Sequence, residues 1–327
     1  MKPDSYFESS PSPSISAAQN LRFGEALSRY EQLVTPDKKS CREERSTISI
    51  IRRTAPDLLE MPMTDIRPHH IARYRDRRRM VATEFQLRSG KIFQKSSPPK
   101  AATIRKDLCV ISDVFRKAQF EWGHDDLVNP VLNGLRPKPF RPRVRRLDDQ
   151  EFCRLLEAAS LYEAHPVSTV PITAIIVFAA HSAMRLSELA GLRWQDIDFN
   201  RATAMLHDTK NGEARTVPLK PICLDLLRAR KSREVGLVWN SDKEGIRTAW
   251  NRVAKRAGIE NLRFHDLRHE AISELIENAD RYRLSLPEVM FIAGHRSMAM
   301  VTRYYHALAP KIAKKLALAS VGHRSEA

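Results

Sequence analysis

Cysteine is scarce in this chain of 327 residues, and none of the four (Cys41, Cys109, Cys153, Cys223) forms a C-x-x-C pair. A disulfide framework or zinc ligation is therefore disfavoured, and buried free thiols are expected. No apolar run approaches the roughly 18 residues that a transmembrane helix needs. Residues 1–20 are polar and rich in Ser and Pro, without the basic start and apolar core of a signal peptide. They read as a flexible tail on a cytoplasmic protein. There is no Gly-rich phosphate loop and no internal repeat. The Asp and Glu residues are scattered, which argues against the clustered carboxylates of a metal-dependent nuclease or transposase.

What the chain does have is positive charge. It carries 55 Lys and Arg against 39 Asp and Glu, a formal net charge of +16. Such an excess suits a polyanionic partner, because Lys and Arg release condensed counterions when they neutralise phosphates. Nucleic acid fits that balance better than an acidic membrane. The content of 42% apolar and 29% charged residues is that of an ordinary globular chain, and the length suits two domains.

In chain order, Phe23, Ala26, Leu27, Tyr30, Leu33 and Val34 recur at helical spacing within 21–35. A second helix is expected over 67–81, starting around Pro68. Its Arg73, Arg75, Arg77, Arg78 and Arg79 predict a strongly basic face. Residues 85–93 alternate about Ser89-Gly90 and predict a small basic hairpin. Ile104, Leu108, Ile111, Val114, Phe115 and Ala118 give an amphipathic helix over 103–122. These pieces define a helical unit, 21–133. Residues 134–146 hold three prolines and six Lys or Arg, and read as an extended basic linker. Such a linker is either solvated or lies along a DNA backbone.

The second domain is expected over 147–309, opening with a helix capped by Asp148. Residues 170–180 are almost wholly apolar and predict a buried helix that delivers Arg185 to its C-terminal end. An Arg in that place needs an anionic partner, since its charge cannot be shed. Glu188, one turn on, is the candidate. Residues 202–219 form short β-prone segments around Asn211-Gly212, a hairpin signal that puts Lys210 at the tip. Helices are expected again over 225–233, 243–257 and 287–293.

The C-terminal stretch carries the chemistry. His265 and Arg268 are one helical turn apart and can face one phosphate, whereas His269 is expected to point elsewhere. His295 follows Gly294, and Tyr304 lies nine residues beyond His295. Cleaving a phosphodiester without a metal requires a nucleophile, cationic donors for the non-bridging oxygens and an acid for the leaving 5′-oxygen. A Tyr, two Arg, two His and a Lys supply that set. A tyrosine nucleophile would conserve the bond energy as a phosphotyrosine and allow rejoining without ATP.

On these residues the chain resembles the tyrosine recombinases, the phage-integrase family, over 147–306. The matching stretches are Ala183-Met184-Arg185 with Glu188 and Leu192 to Ile197; Thr209-Lys210; His265 to His269; Gly294-His295; and Thr302 to His306. Many members have Thr-Gly where this chain has Ser182-Ala183, a departure of one methyl group at a tight turn. Residues 22–130 resemble the family's helical core-binding domain more loosely. The wording of 264–273 and 294–300 is similar to that of shufflon-type DNA invertases.

The resemblance implies a mainly α protein with a small antiparallel β-sheet, built as a two-domain C-shaped DNA clamp. It implies that Arg185 and Arg268 hold the scissile phosphate and that His265 assists proton transfer at the nucleophile and binds phosphate. Lys210 becomes the general acid for the 5′-hydroxyl, His295 a donor to the phosphate, Glu188 a support and Tyr304, not Tyr305, the nucleophile. Arg73, Arg77, Arg141, Arg143 and Arg145 are the candidate DNA contacts. Implied partners are double-stranded DNA, a homo-tetramer on paired sites and, as an open class, accessory DNA-bending proteins. No metal or other cofactor is implied. Residues 310–327 form a tail whose Ile312 and Leu316 would pack on a neighbouring protomer or on the chain itself. Two other classes use the same residues: a monomeric DNA-relaxing enzyme and a non-catalytic DNA-binding regulator.

Overall fold

In the computed structural model, apolar residues recurring every third or fourth position give the first unit, Met1–Arg141, its core. The structure describes residues 21–82, 84–86, 92–94, 97–138, 145–207, 214–230, 235–302, 304, 312–313 and 316–317, with no side chains for 84–86 and 92–94. Lys210, Arg141, Arg143, Tyr305, most of the tail and residues 1–20 lie outside the described set.

Helix α1 (Phe23–Leu33) buries Phe23, Ala26, Leu27 and Tyr30. It is followed by α2 (Cys41–Thr54), the short α3 (Pro56–Leu59) and α4 (Pro68–Met80). Strands β1 (Glu84–Gln86) and β2 (Ile92–Gln94) pair antiparallel, Phe85 opposite Phe93, as the alternation predicts. Helix α5 (Ala101–Glu121) supplies Leu108, Ile111, Val114, Phe115 and Ala118, and the Phe23 and Phe115 rings stack at 5.9 Å. The periodicity did not announce α2. Its sequence is mostly polar, and only Ile48, Ile50 and Ile51 near its end are buried.

The expected basic face of α4 needs correction at one position. Residues 71, 74 and 78 fall on one stripe of the helix, and Ile71, Tyr74 and Arg78 are all buried. The Arg78 Nε donates to Asp107 Oδ2 at 3.0 Å, both side chains being 1% exposed, and the Tyr74 hydroxyl donates to the same oxygen at 3.0 Å. Arg78 is thus a core residue, placed by the 3.6-residue period rather than by its charge. Arg77 is engaged by Asp57 at 2.7 Å, Arg75 by Asp76 at 2.8 Å, and Arg73 is exposed.

The second unit is Pro142–Ala327. The division falls inside the basic stretch 134–146, whose two ends are held on their own units. The Arg136 Nη2 donates to Ser112 Oγ at 3.2 Å. Arg146 forks onto Glu270, its Nε and Nη2 donating at 2.9 and 2.7 Å, and also pairs with Glu277. Helix α6 (Asp149–Glu163) is capped by the Asp148 carboxylate, which accepts from the Glu151 N–H at 2.7 Å. Helix α7 (Ile172–Ser182) is buried through Ile172, Ile175, Ile176, Phe178 and Ala179, as its apolar run predicts. Then come α8 (Leu186–Ala190) and a three-stranded antiparallel sheet in the order β3 (Ile197–Asp198), β4 (Thr203–Leu206), β5 (Arg215–Pro218). Helices α9 (Pro221–Arg230), α10 (Lys243–Arg256), α11 (Phe264–Glu277), α12 (Ala279–Tyr282) and α13 (Leu286–Ala293) follow. Helices α7 and α11 pack against each other at the centre of this core.

All four cysteines are free, as expected, but burial holds for Cys223 alone; Cys41 and Cys109 are half-buried and Cys153 is exposed. Among the described residues no helix is long and apolar enough to cross a membrane. Asp107→Ala leaves the Arg78 guanidinium buried without its carboxylate. The first unit should lose roughly 3–5 kcal/mol, read as a lower urea midpoint for that unit.

Candidate active site

Two left-handed turns build the site. Helix α7 ends at Ala183, whose backbone sits at φ 54°, and α13 ends at Gly294, φ 61°. An L-residue in the left-handed region costs about 1–2 kcal/mol, so the alanine at 183 is tolerated at some local expense. At Gly294 a side chain would also meet Arg215, since a Cβ there would lie 2.8 Å from its guanidinium carbon. The turn gives a Schellman-type end to α13: the His295 N–H donates to the Met290 carbonyl at 2.9 Å.

Ending a helix leaves its last carbonyls without intrahelical partners. Here guanidiniums take them. The Arg185 Nη2 donates to the Gly294 carbonyl at 3.1 Å, and the Arg215 Nη1 to that of Ile292 at 2.6 Å. Buried Arg268 donates to the carbonyls of Ala293 and Ala183, one on each turn. The negative end of the α13 dipole favours these cations.

Glu188 ties two of the three together. Its Oε1 accepts from Arg185 Nη1 at 2.6 Å, and its Oε2 accepts from the Arg185 backbone N–H and from Arg215 Nη2, each at 2.8 Å. Burial alone would raise the Glu188 carboxyl. The Arg185 N–H and the Arg215 and Arg185 guanidiniums outweigh it and hold the carboxyl below its usual range. Burial, followed by the nearby Arg185 charge, pushes the Arg268 guanidinium down from its usual range, with Glu188 and Tyr304 opposing. Three cations against one carboxylate leave positive charge in excess. A guanidinium has five N–H donors, so these contacts leave capacity for an anion.

Tyr304 is 4% exposed beside this cluster. Its hydroxyl lies 2.6 Å from His269 Nδ1. The exposed His265 sits one turn earlier on α11 and meets the His269 ring edge-on at 4.8 Å, while the His295 ring lies nearly parallel to Tyr304 at 6.4 Å. The structure therefore gathers Arg185, Glu188, His265, Arg268, His295 and Tyr304 in one place. Lys210 lies outside the described residues. Among the other candidates, Arg145 is paired with Glu151 through a two-oxygen contact at 2.8 and 2.5 Å.

A buried tyrosine near clustered arginines and histidines, on a helical core with a small sheet, is a set able to hold an anion close to a nucleophile. The comparisons give it a family: residues 145–310 match the phage integrase family, and this chain belongs to it. It is 35% identical over 306 residues to a shufflon-specific DNA recombinase of Escherichia coli, covering 94% of this chain and 73% of that protein. Its fold resembles that of a lambda integrase dimer bound to a COC′ core site, with a TM-score of 0.63 at 21% identity, covering 89% of this chain and 79% of that one. A lambda integrase tetramer bound to a Holliday junction gives a TM-score of 0.63 at 22% identity, covering 86% and 80%.

Two site residues escaped the sequence reading. Arg215 heads β5, on the far side of the hairpin that carries Lys210, and only the fold brings it to Glu188. His269 was expected to point away because it follows Arg268 directly. Its spacing of four from His265 was the available signal, and it puts both rings on one face. Because Glu188 is held low in the folded state, its stabilising share is present above its unfolded value of 4.5 and is lost as pH falls through the lower folded value. Glu188→Gln should therefore lower stability at pH 7 and flatten the loss of stability as pH falls below 4.5, measured by urea denaturation at successively lower pH.

Proposed function

We propose that this chain is a site-specific DNA recombinase that cuts and rejoins duplex DNA through a 3′-phosphotyrosyl bond to Tyr304. The observation that carries this reading is buried Tyr304, with its hydroxyl on His269 and its side chain near enough to act on the charge of Arg268, which belongs to the guanidinium cluster. In this reading Arg185 and Arg268 hold the non-bridging oxygens, and Arg215 with Glu188 keeps Arg185 in place. Preorganised donors of this kind, in a site shielded from water, stabilise developing charge without reorganising. By resemblance His265 would assist proton transfer at the nucleophile and bind the phosphate, and His295 would add a donor to it. As the Tyr304 oxygen bonds to phosphorus, the bond to the 5′-oxygen breaks and Lys210 supplies the proton that the oxygen takes. Attack by the 5′-hydroxyl of a partner strand reverses the step and frees Tyr304.

Both units would contact the duplex. Arg73, Arg77, Arg141, Arg143 and Arg145 would meet the phosphate backbone, which sets position rather than sequence. Arg77 and Arg145 would exchange a carboxylate for a phosphate in doing so. Four protomers on two sites are the working assembly, in keeping with the lambda integrase tetramer on a Holliday junction. Ile312 and Leu316 are 52% and 67% exposed, and the tail that carries them would pack on a neighbouring protomer or on the chain itself. The relation to a shufflon-specific recombinase favours inversion as the outcome.

The test incubates the purified protein, in EDTA, with duplexes nicked near candidate sites taken from DNA flanking the gene. Wild type and Tyr305→Phe should form an SDS-resistant adduct, and Tyr304→Phe should form none. Tight binding without an adduct on any bound site would replace the recombinase by a DNA-binding regulator.

A further inference from the structure

By resemblance the proton of the attacking phenol is handled at His265, but the geometry favours another acceptor. The Tyr304 phenol must lose its proton as it attacks, and at 4% exposure it has little access to bulk water. A phenol ordinarily ionises near about pH 10 and an imidazole near about 6.5, so a histidine in contact with the hydroxyl is the natural base at neutral pH. His265, the residue that family resemblance suggests, is exposed and lies one ring further out. His295 runs nearly parallel to the tyrosine ring, 6.4 Å away between centroids. His269 Nδ1 lies 2.6 Å from the phenolic oxygen, a distance at the short end for a hydrogen bond.

We propose that His269, through Nδ1, is the general base that takes the Tyr304 proton during strand cleavage and returns it during rejoining. The inference rests on the recombinase reading and adds to it a catalytic residue in direct contact with the attacking atom. It requires the neutral imidazole with its hydrogen on Nε2, which leaves Nδ1 as acceptor. The O–H proton passes to Nδ1 while the oxygen forms its bond to phosphorus and the 5′-oxygen departs with a proton from Lys210. His269 is then an imidazolium. When a 5′-hydroxyl attacks the phosphotyrosine, Nδ1 gives the proton back to the phenolate as it leaves. Among the described residues, ionisable groups near the pair include His265 on the same helix, His295 after α13, and Arg268. Helix α11 fixes three of these residues: Arg268 faces the two left-handed turns, and the adjacent His269 shares with His265 the face toward Tyr304. Arg146, forked onto Glu270, holds the chain entering this unit against the same helix.

The experiment measures the single-turnover rate of adduct formation on a nicked duplex between about pH 5.5 and 9, the range in which an imidazole changes charge. Wild type, His269→Ala and His269→Gln are compared, with DNA binding and thermal melting measured alongside. Gln can keep a hydrogen bond to Tyr304 but cannot accept the proton. Both variants should bind DNA and melt close to wild type, yet form adduct about 10²–10⁴-fold more slowly at neutral pH. The deficit should shrink as pH rises, and free imidazole should restore part of the rate to His269→Ala. Adduct formation by His269→Gln within a few-fold of wild type would overturn the proposal. So would a deficit equal at every pH and unrelieved by imidazole, which marks a structural role. A wild-type protein that forms no adduct removes the recombinase reading and this inference together, whereas wild-type adduct with an indifferent His269 removes this inference alone.

Discussion

The C-terminal end of helix α13 is the constraint on which the site depends. Three carbonyls in succession, those of Ile292, Ala293 and Gly294, receive Arg215, Arg268 and Arg185. A helix end that would otherwise turn to water thus becomes a socket for three guanidiniums, drawn from a strand, a buried helix and a turn. Glu188 is the one carboxylate bonded to the cluster among the described residues, and it orders Arg185 and Arg215 without cancelling the charge. The excess of positive charge lies in a shielded place, where an anion would be held more strongly than in water.

The rest of the second unit serves that socket. Helix α7 must be buried to bring Ala183 and Arg185 to its end, and α11 must lie against α7 for Arg268 to bridge the two turns. The sheet holds Arg215 in register, opposite Leu206, so its side chain reaches Glu188 from the other side. The left-handed turn at Gly294 lets Arg215 approach the backbone and sets His295 beyond the helix end. Rigid elements of this kind hold donors in place better than loops do.

Much of this was legible in the sequence, and the limits have physical causes. Apolar periodicity located α1, α5 and α7, and Asp148 marked the start of α6, because those signals are local. The Arg185–Glu188 pair was readable from a spacing of three and the need of a buried Arg for an anion. Arg78 was misread because five arginines in seven residues look like a solvated face, whereas the helical period puts the 78th position inward, where Asp107 receives it. Helix α2 gave too little apolar signal to be seen, since only its end is buried. Arg215 and His269 act through contacts with residues 27 positions back and 35 positions on. No local pattern encodes such contacts; they follow from how the elements pack.

The most direct test of the account is the identity of the covalent link. The adduct formed on a nicked duplex would be digested with nuclease and protease, and the modified peptide sequenced by mass spectrometry. The account predicts a deoxynucleotide joined through its 3′-phosphate to Tyr304. A link at Tyr305, a 5′-phosphate linkage, or modification of any other residue would contradict it.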